Sequence, residues 1–369
     1  MGVRRILMTA DTVGGVWTYA LELARGLARE GVAVGLATMG APLHPGQRRD
    51  AATAGVTLFE SSYRLEWMDD PWEDVARAGR WLLEIERDFA PDIVHLNQYC
   101  FGALPFAAPA LVVGHSCVLS WWRAVHGGDA PAEWNRYRRE VAQGLRGAAL
   151  LIAPTRAMMA ALEEHYGPLP LKTVIPNGSG AGRKARPTTA PFIFSSGRLW
   201  DEAKNIAALE KIAPQLSWPV YVAGDTRQPG KSGQAKPPAP TASGFHLLGK
   251  LDSAAMAAWM SRAAVYALPA FYEPFGLSIL EAASAGCALV LGDIPSLREN
   301  WDGAAAFVPP GDSGALAKAL RRLIDSAEER IDLAARARRR SLGFTAGMMT
   351  GAYLASYAQI RHAAACPAP

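Results

Sequence analysis

Glu273 and Glu281 lie in the stretch Pro269 to Gly286, PAFYEPFGLSILEAASAG, with seven residues between them. The apolar run Ala264 to Leu268 predicts a strand entering this stretch, and a helix from near Pro274 to Gly286 leaving it. Proline suits a first helical position and glycine the position just past the last turn. A helix N-terminus leaves N–H groups unpaired at the positive end of its dipole. The amides of Phe275, Gly276 and Leu277 are therefore expected to form an anion site, with a carboxylate on either side. A capped core helix with two exposed acids would account for the same residues without chemistry.

Four further groups have chemical potential. Arg198 and Lys204 share one strand-to-helix loop in GRLWDEAKN. Two cations there suit a pyrophosphate, the guanidinium as a bidentate donor and the ammonium as a point charge; the alternative is a pair of solvated surface cations. His115 follows the apolar run ALVVG, which delivers it to a sheet edge as an active-site group or as a hydrogen-bonded structural one. Gly14 and Gly15 end the first strand, where open α/β sheets bind ligands, although a tight turn needs the same residues. Trp121 and Trp122 could stack on an acceptor sugar, or serve equally as core anchors.

The elements that must position these groups alternate between short apolar runs and amphipathic helices. Arg5 to Thr9, Val32 to Thr38, Ile93 to Leu96, Ala110 to Gly114 and Ala148 to Ala153 read as buried parallel strands, with helices between them. The same alternation resumes at Phe192 to Ser195 and continues to Ala305 to Val308. This is an α/β chain of doubly wound sheets. We place one domain at 1–180 and a second at 190–343, joined by a short basic, proline-bearing linker from Gly180 to Ala190. Arg227 to Gly244 is rich in Gly, Pro, Ser and Lys and is expected to be a loop. The final helix, about 346–361, carries Met349, Tyr353, Tyr357 and Ile360.

Composition agrees with two such domains. The chain has 369 residues, half of them hydrophobic and a fifth charged, enough for two separate cores. A net charge of +4 is compatible with an anionic ligand and gives no reason to expect nucleic acid. The four cysteines form no C-x-x-C pair, so free thiols in a reducing compartment are expected. The N-terminus reads as a first strand, not a signal peptide, and no apolar run is long enough to span a membrane.

The two glutamates around Pro-Phe-Gly resemble the E-x7-E signature of retaining glycosyltransferases of the GT-B fold, most closely family 4 (glycosyl transferases group 1). GRLWDEAKN, PDIVHLN, APTRAMMAAL and Ile175-Pro176-Asn177-Gly178 resemble further family segments, so the likeness covers nearly the whole chain. It implies two Rossmann-like domains facing a central cleft. The first is on the acceptor side, with the last helix returning to it, and the second takes a nucleotide-diphosphate sugar, UDP- or GDP-linked. By resemblance the diphosphate meets Arg198, Lys204 and the amides near Gly276 and Leu277. Glu281 takes the ribose hydroxyls, Lys250 lies beside the base, Gly15 approaches the donor or acceptor, and Glu273 and His115 face the transferred sugar. Family members mostly need no metal, and the chain has no D-x-D pair to hold one; no cofactor is expected beyond the nucleotide-sugar substrate. The implied reaction transfers a hexose, with retention, to a glycan, lipid-linked or small-molecule hydroxyl. It is expected in the cytoplasm, with peripheral contact at the inner membrane face a family-level expectation. Two departures stand out. Ala148-Ala149 replace an expected Asp, and Ser179-Gly180 follow the Asn-Gly turn where an Asp is common. The competing readings are another GT-B enzyme, such as a nucleotide-sugar epimerase or a phosphorylase, and a non-catalytic nucleotide-sugar-binding subunit.

Overall fold

The computed structural model describes residues 2–169, 171–180, 190–226 and 242–365. The linker expected at 180–190 and the loop expected at 227–244 fall almost wholly outside these residues, as does Cys366. The chain runs β1 (Arg5–Asp11), α1 (Gly15–Arg29), β2 (Ala33–Met39), α2 (Pro45–Ala54), β3 (Thr57–Glu60), α3 (Trp72–Phe89), β4 (Ile93–Leu96), β5 (Ala110–Val113), α4 (Val118–His126), α5 (Asn135–Gly147), β6 (Leu150–Ala153), α6 (Arg156–Tyr166) and β7 (Lys172–Val174). It continues β8 (Ala190–Ser196), α7 (Ile206–Ile212), β9 (Val220–Ala223), β10 (Phe245–Gly249), α8 (Ser253–Arg262), β11 (Ala263–Leu268), α9 (Leu277–Ala285), β12 (Ala288–Gly292), α10 (Pro295–Trp301), β13 (Ala306–Val308), α11 (Ser313–Asp325), α12 (Ala327–Ser341) and α13 (Ala346–Ala365).

Two compact units result. The first holds described residues up to 123, then 128–180 and the last helix from 346; the bulk of the second is 190–345. Among the described residues the first has a seven-stranded sheet, β3-β2-β1-β4-β5-β6-β7, and the second a six-stranded sheet, β10-β9-β8-β11-β12-β13. All these pairings are parallel. Parallel strands are covered on both faces, which explains why they read as unbroken apolar runs. In the second unit Phe194, Tyr266, Leu268, Leu289 and Leu291 pack on one face with α9. Ile193, Val265, Val290, Leu316 and Leu320 fill the other.

Strand order reverses between β1 and β4, and again between β8 and β11. At such a point the loops leaving two adjacent strands diverge and open a crevice at their carboxyl ends, where doubly wound sheets bind ligands. The residues of interest leave β1, β4 and β5 in one unit and β8 and β11 in the other.

Helix α13 lies against α1. A Cβ on Gly26 would stand 2.0 Å from Thr350 Oγ1, so only glycine allows this approach. Arg361 of α13 pairs with Asp92 at 2.9 Å, and Asp92 accepts the amides of Arg4 and Arg5. Burial opposes its charge, but those amides and Arg361 outweigh it and hold the carboxyl below its ordinary range. Tyr63 packs edge-on against Trp81 of α3, and Arg136 of α5 lies over the ring of Trp72. Among the described residues, no helix is long and apolar enough to cross a membrane, and Cys100, Cys117 and Cys287 form no disulfide.

Candidate active site

In the second unit the sequence-predicted residues come from three loops. Helix α9 begins at Leu277, later than the expected Pro274. Gly276 has φ 86°, a left-handed conformation that ends the preceding turn and cannot be a helical residue. Glu281 is therefore one turn into the helix. The unpaired amides belong to Gly276, Leu277 and the following turn instead of Phe275. The Phe275 N–H points to Glu273 Oε1 at 3.5 Å, and its ring is buried edge-on against Phe344. No acid occupies the first turn of α9 and no side chain caps it, so its positive end is not neutralised locally.

Lys204 Nζ donates to Glu273 Oε2 at 2.7 Å, joining the loop after β8 to the loop after β11. Both side chains are largely buried, 12% and 15% exposed. Backbone contacts fix the same junction: the Phe271 amide donates to Ala203 O at 2.8 Å, and Ser296 Oγ donates to Glu273 O at 2.6 Å. Asn205 adopts φ 54° and its Nδ2 donates to Pro269 O and Pro310 O.

Arg198 is set by Asp201, a residue the sequence reading quoted without a role. Asp201 is 4% exposed. Its Oδ2 accepts from Arg198 Nη2 at 2.7 Å, while Oδ1 accepts the Ala203 amide at 3.1 Å and so caps the short 3-10 turn carrying Lys204. One carboxylate thus orients one cation and the backbone of the other. Its sequence signal is an acid placed where the turn begins. Lys250 is exposed beyond Gly249, at the end of β10.

In the first unit His115 leaves β5 and is half-buried. Its Nε2 lies 2.8 Å from Asn97 Oδ1, and its ring meets the Tyr19 ring edge-on at 4.4 Å. Tyr19 lies on α1, four residues beyond Gly15, the exposed first residue of that helix. Behind them His95 is fully buried, between Tyr19 Oη at 3.2 Å and Tyr357 Oη at 2.7 Å. Burial pushes His95 and His115 down to about 3, so both rings are neutral at pH 7. Trp121 and Trp122 are half-buried on α4, with ring centroids 5.9 Å apart.

Glu66, between β3 and α3, was not among the residues the sequence singles out. It is 5% exposed and accepts the amides of Tyr99 and Cys100. Tyr99 in turn donates its hydroxyl to Ser116 O at 2.9 Å, bracing the loop that carries His115. Burial raises the Glu66 carboxyl despite those amides.

This geometry can be set beside known proteins. Residues 13–179 match the model of Glycosyltransferase Family 4, and residues 190–326 match Glycosyl transferases group 1. A glycogen synthase of Mycobacterium tuberculosis is 28% identical over 377 residues, spanning 90% of each chain. A D-inositol 3-phosphate glycosyltransferase of Kineococcus radiotolerans is 27% identical over 406 residues, spanning 93% of this chain and 90% of that protein. Among solved structures, sucrose-phosphate synthase from Thermosynechococcus elongatus superposes with a TM-score of 0.78 at 17% identity, over 98% of this chain and 100% of that one. An Anabaena protein solved with UDP and glucose gives 0.72 at 17% identity, over 96% and 100%. With both halves matched and the two parallel sheets in place, the chain belongs to glycosyltransferase family 4, the glycosyl transferases group 1 of the GT-B fold.

Proposed function

We propose that the protein transfers a hexose from a nucleotide-diphosphate sugar to a hydroxyl acceptor with retention of anomeric configuration. The observation that carries this reading is the junction in the second unit. Arg198, Lys204 and the uncapped N-terminus of α9 gather at the switch point of one sheet, and Lys204 is already held by Glu273.

A diphosphate there takes charge-assisted hydrogen bonds from Arg198 and Lys204 and from the amides of Gly276 and Leu277. Glu281 accepts from the ribose hydroxyls, and Lys250 lies with the base. As the glycosidic bond breaks, negative charge grows on the leaving diphosphate while the sugar becomes oxocarbenium-like. Cations fixed beforehand by Asp201 and Glu273 stabilise that state more than the ground state. Glu273 and His115 act on the transferred sugar, and the acceptor attacks from the face the diphosphate leaves. With two cations meeting the leaving charge, the reading needs no metal, and transfer is expected to be unchanged by EDTA. Trp121 and Trp122 are the proposed acceptor platform. The acceptor is a glycan, lipid-linked or small-molecule hydroxyl, in keeping with the named glycogen synthase and inositol phosphate relatives.

A thermal-shift panel of nucleoside diphosphates and nucleotide sugars tests the reading. UDP comes first, because the Anabaena neighbour was solved with it. A ligand at a hundred times its Kd adds ~2.7 kcal/mol of stability. The increment is expected for one nucleotide family in the wild type and is expected to collapse in Lys204→Ala. Silence across the whole panel would sink the diphosphate site.

A further inference from the structure

We propose that Asn97 is a positioning residue that fixes the tautomer of His115, holding its proton on Nε2 and leaving Nδ1 as a hydrogen-bond acceptor for a sugar hydroxyl.

The assignment follows from donor and acceptor counting. Asn97 Nδ2 lies 2.6 Å from the Thr9 carbonyl oxygen. Only the amide's NH₂ can face a carbonyl at that distance, so the amide oxygen must face the other way. A flipped amide would set its oxygen against that carbonyl, and the Asn97 backbone is itself held by Thr9 Oγ1, which accepts its N–H at 2.8 Å. The oxygen then lies 2.8 Å from His115 Nε2. An acceptor facing that nitrogen requires N–H on it. Among the described residues His115 Nδ1 has no hydrogen-bond partner, and the residue is half-buried.

His95 points to the same answer. Its Nε2 lies 3.3 Å from Asn97 Oδ1, and its Nδ1 lies 2.7 Å from Tyr357 Oη. Tyr19 Oη also lies 3.2 Å from Nε2, and a proton on Nε2 with the Tyr357 hydroxyl donating to Nδ1 is the arrangement that suits both oxygens facing Nε2. In that arrangement Asn97 Oδ1 receives the His115 N–H and shares the His95 N–H with Tyr19 Oη. The ionisable groups around the pair are Tyr19 of α1, His95 of β4, and Tyr353 and Tyr357 of α13, all buried. None carries charge at neutral pH, so the network has no counter-ion to draw a second proton onto either ring.

A neutral acceptor with a fixed lone pair recognises a group that donates. It fits a hydroxyl and opposes a carboxylate, which would face it with lone pairs and unpaired charge. The protein should accordingly prefer a hexose donor to the matching hexuronate. This last step rests on the proposed role of His115 toward the transferred sugar; the tautomer does not.

The test is a long-range ¹H–¹⁵N correlation spectrum of the [¹⁵N]histidine-labelled full chain, with His115 assigned by its loss in His115→Gln. The expected wild-type result is a single Nε2–H tautomer that stays neutral well below pH 6. In Asn97→Leu the tautomers should mix, while burial still keeps the ring neutral. In Asn97→Asp the carboxylate should restore the Nε2–H tautomer and raise the ring above its wild-type value. A proton on Nδ1 in the wild type, or an unchanged spectrum in Asn97→Leu, would overturn the proposal. If Asn97→Leu fails to fold, the wild type and Asn97→Asp decide it. A comparison of UDP-glucose with UDP-glucuronate follows, with UDP alone as reference. A preference for the hexose of about tenfold or more is expected, and equal affinity would overturn the hydroxyl assignment. If UDP itself does not bind, the diphosphate site is at fault, and the spectra still decide the tautomer.

Discussion

In the second unit Lys204 and Glu273 meet as opposite charges 2.7 Å apart, whereas in the first His115 and Asn97 meet as neutral groups at 2.8 Å. The charged pair leaves the two strands at a reversal of strand order, β8 and β11, and the neutral pair leaves β4 and β5, beside the reversal between β1 and β4. The charged pair is an exchangeable contact: an arriving anion can compete with Glu273 for the ammonium without leaving either group bare. In the neutral set Asn97 is held on both sides, its NH₂ on the Thr9 carbonyl and its oxygen on His115 Nε2, so turning the amide over would set like against like. The contrast suits the proposed division of labour, in which one region must answer a change in charge and the other must present one lone pair in one direction.

Lys204→Ala is the largest break expected. Removing a cation fixed beside the leaving diphosphate should cost roughly a hundredfold to a thousandfold in turnover. It also strands Glu273, and removal of one partner from a buried ion pair can cost ~3–5 kcal/mol. Lys204→Ala with Glu273→Gln separates the two effects. The double variant should regain much of the lost thermal stability while transfer stays depressed. Recovery of activity along with stability would make the pair purely structural.

Acid should divide the two regions next. His95 and His115 have folded values near 3 against an ordinary 6.5. Between those values the unfolded chain binds protons that the folded chain does not, so their contribution is fully present above pH 6.5 and is lost as pH falls toward 3. The slope is on the order of 1.4 kcal/mol per pH unit for each ring. In the second unit the Arg298 hydrogen bonds hold Asp293 below its ordinary 3.8, so its contribution is lost only below that value. Hydrogen exchange at pH 5 should show β1 and β4 opening relative to pH 7, with β8 and β11 little changed. His95→Gln should flatten the difference. Equal protection in both sheets across this range would remove the contrast.

The sequence reading was strongest where chemistry and local pattern coincide. Helix α7, Ile206–Ile212, follows directly on the Lys204-Asn205 pair of GRLWDEAKN. In APTRAMMAAL, Thr155 caps α6, with Oγ1 accepting the Met158 amide. Buried parallel strands announce themselves as apolar runs. By contrast, α2 buries only Gln47, Ala51 and Ala54 and is capped by a histidine, His44, so it has neither an apolar stripe nor a familiar cap. Gly276 was legible as a flexible residue, but its left-handed conformation, which moves the start of α9, was not. The His115 network was the least legible part. His95 and Tyr357 are 262 residues apart, and no local spacing can announce a pair that forms only when the last helix lies beside β4. PDIVHLN exposed His95 and Asn97 as a strand end but not the partners that give them roles.

Asp201→Asn is the finest probe, because it removes a charge where Asn97→Asp would add one. The substitution keeps Oδ1 as acceptor for the Ala203 amide, so the turn carrying Lys204 should survive. The new NH₂ faces Arg198 Nη2, donor against donor, where the carboxylate lay at 2.7 Å. Arg198 should then leave its orientation while Lys204 keeps its own. A hydrogen bond to a charged group is worth ~1.5–3 kcal/mol, but Arg198 is about a third exposed and solvent replaces part of it. The expected outcome is therefore a loss of nucleotide affinity of about tenfold or less, read as a rise in KM, with a fall in kcat much smaller than that of Lys204→Ala. A fall in kcat as large as that of Lys204→Ala would mean that the two cations are held as one unit, with Asp201 supporting both. An unchanged KM would mean that Arg198 orients itself on the diphosphate, leaving Lys204 as the cation that the fold must fix in advance.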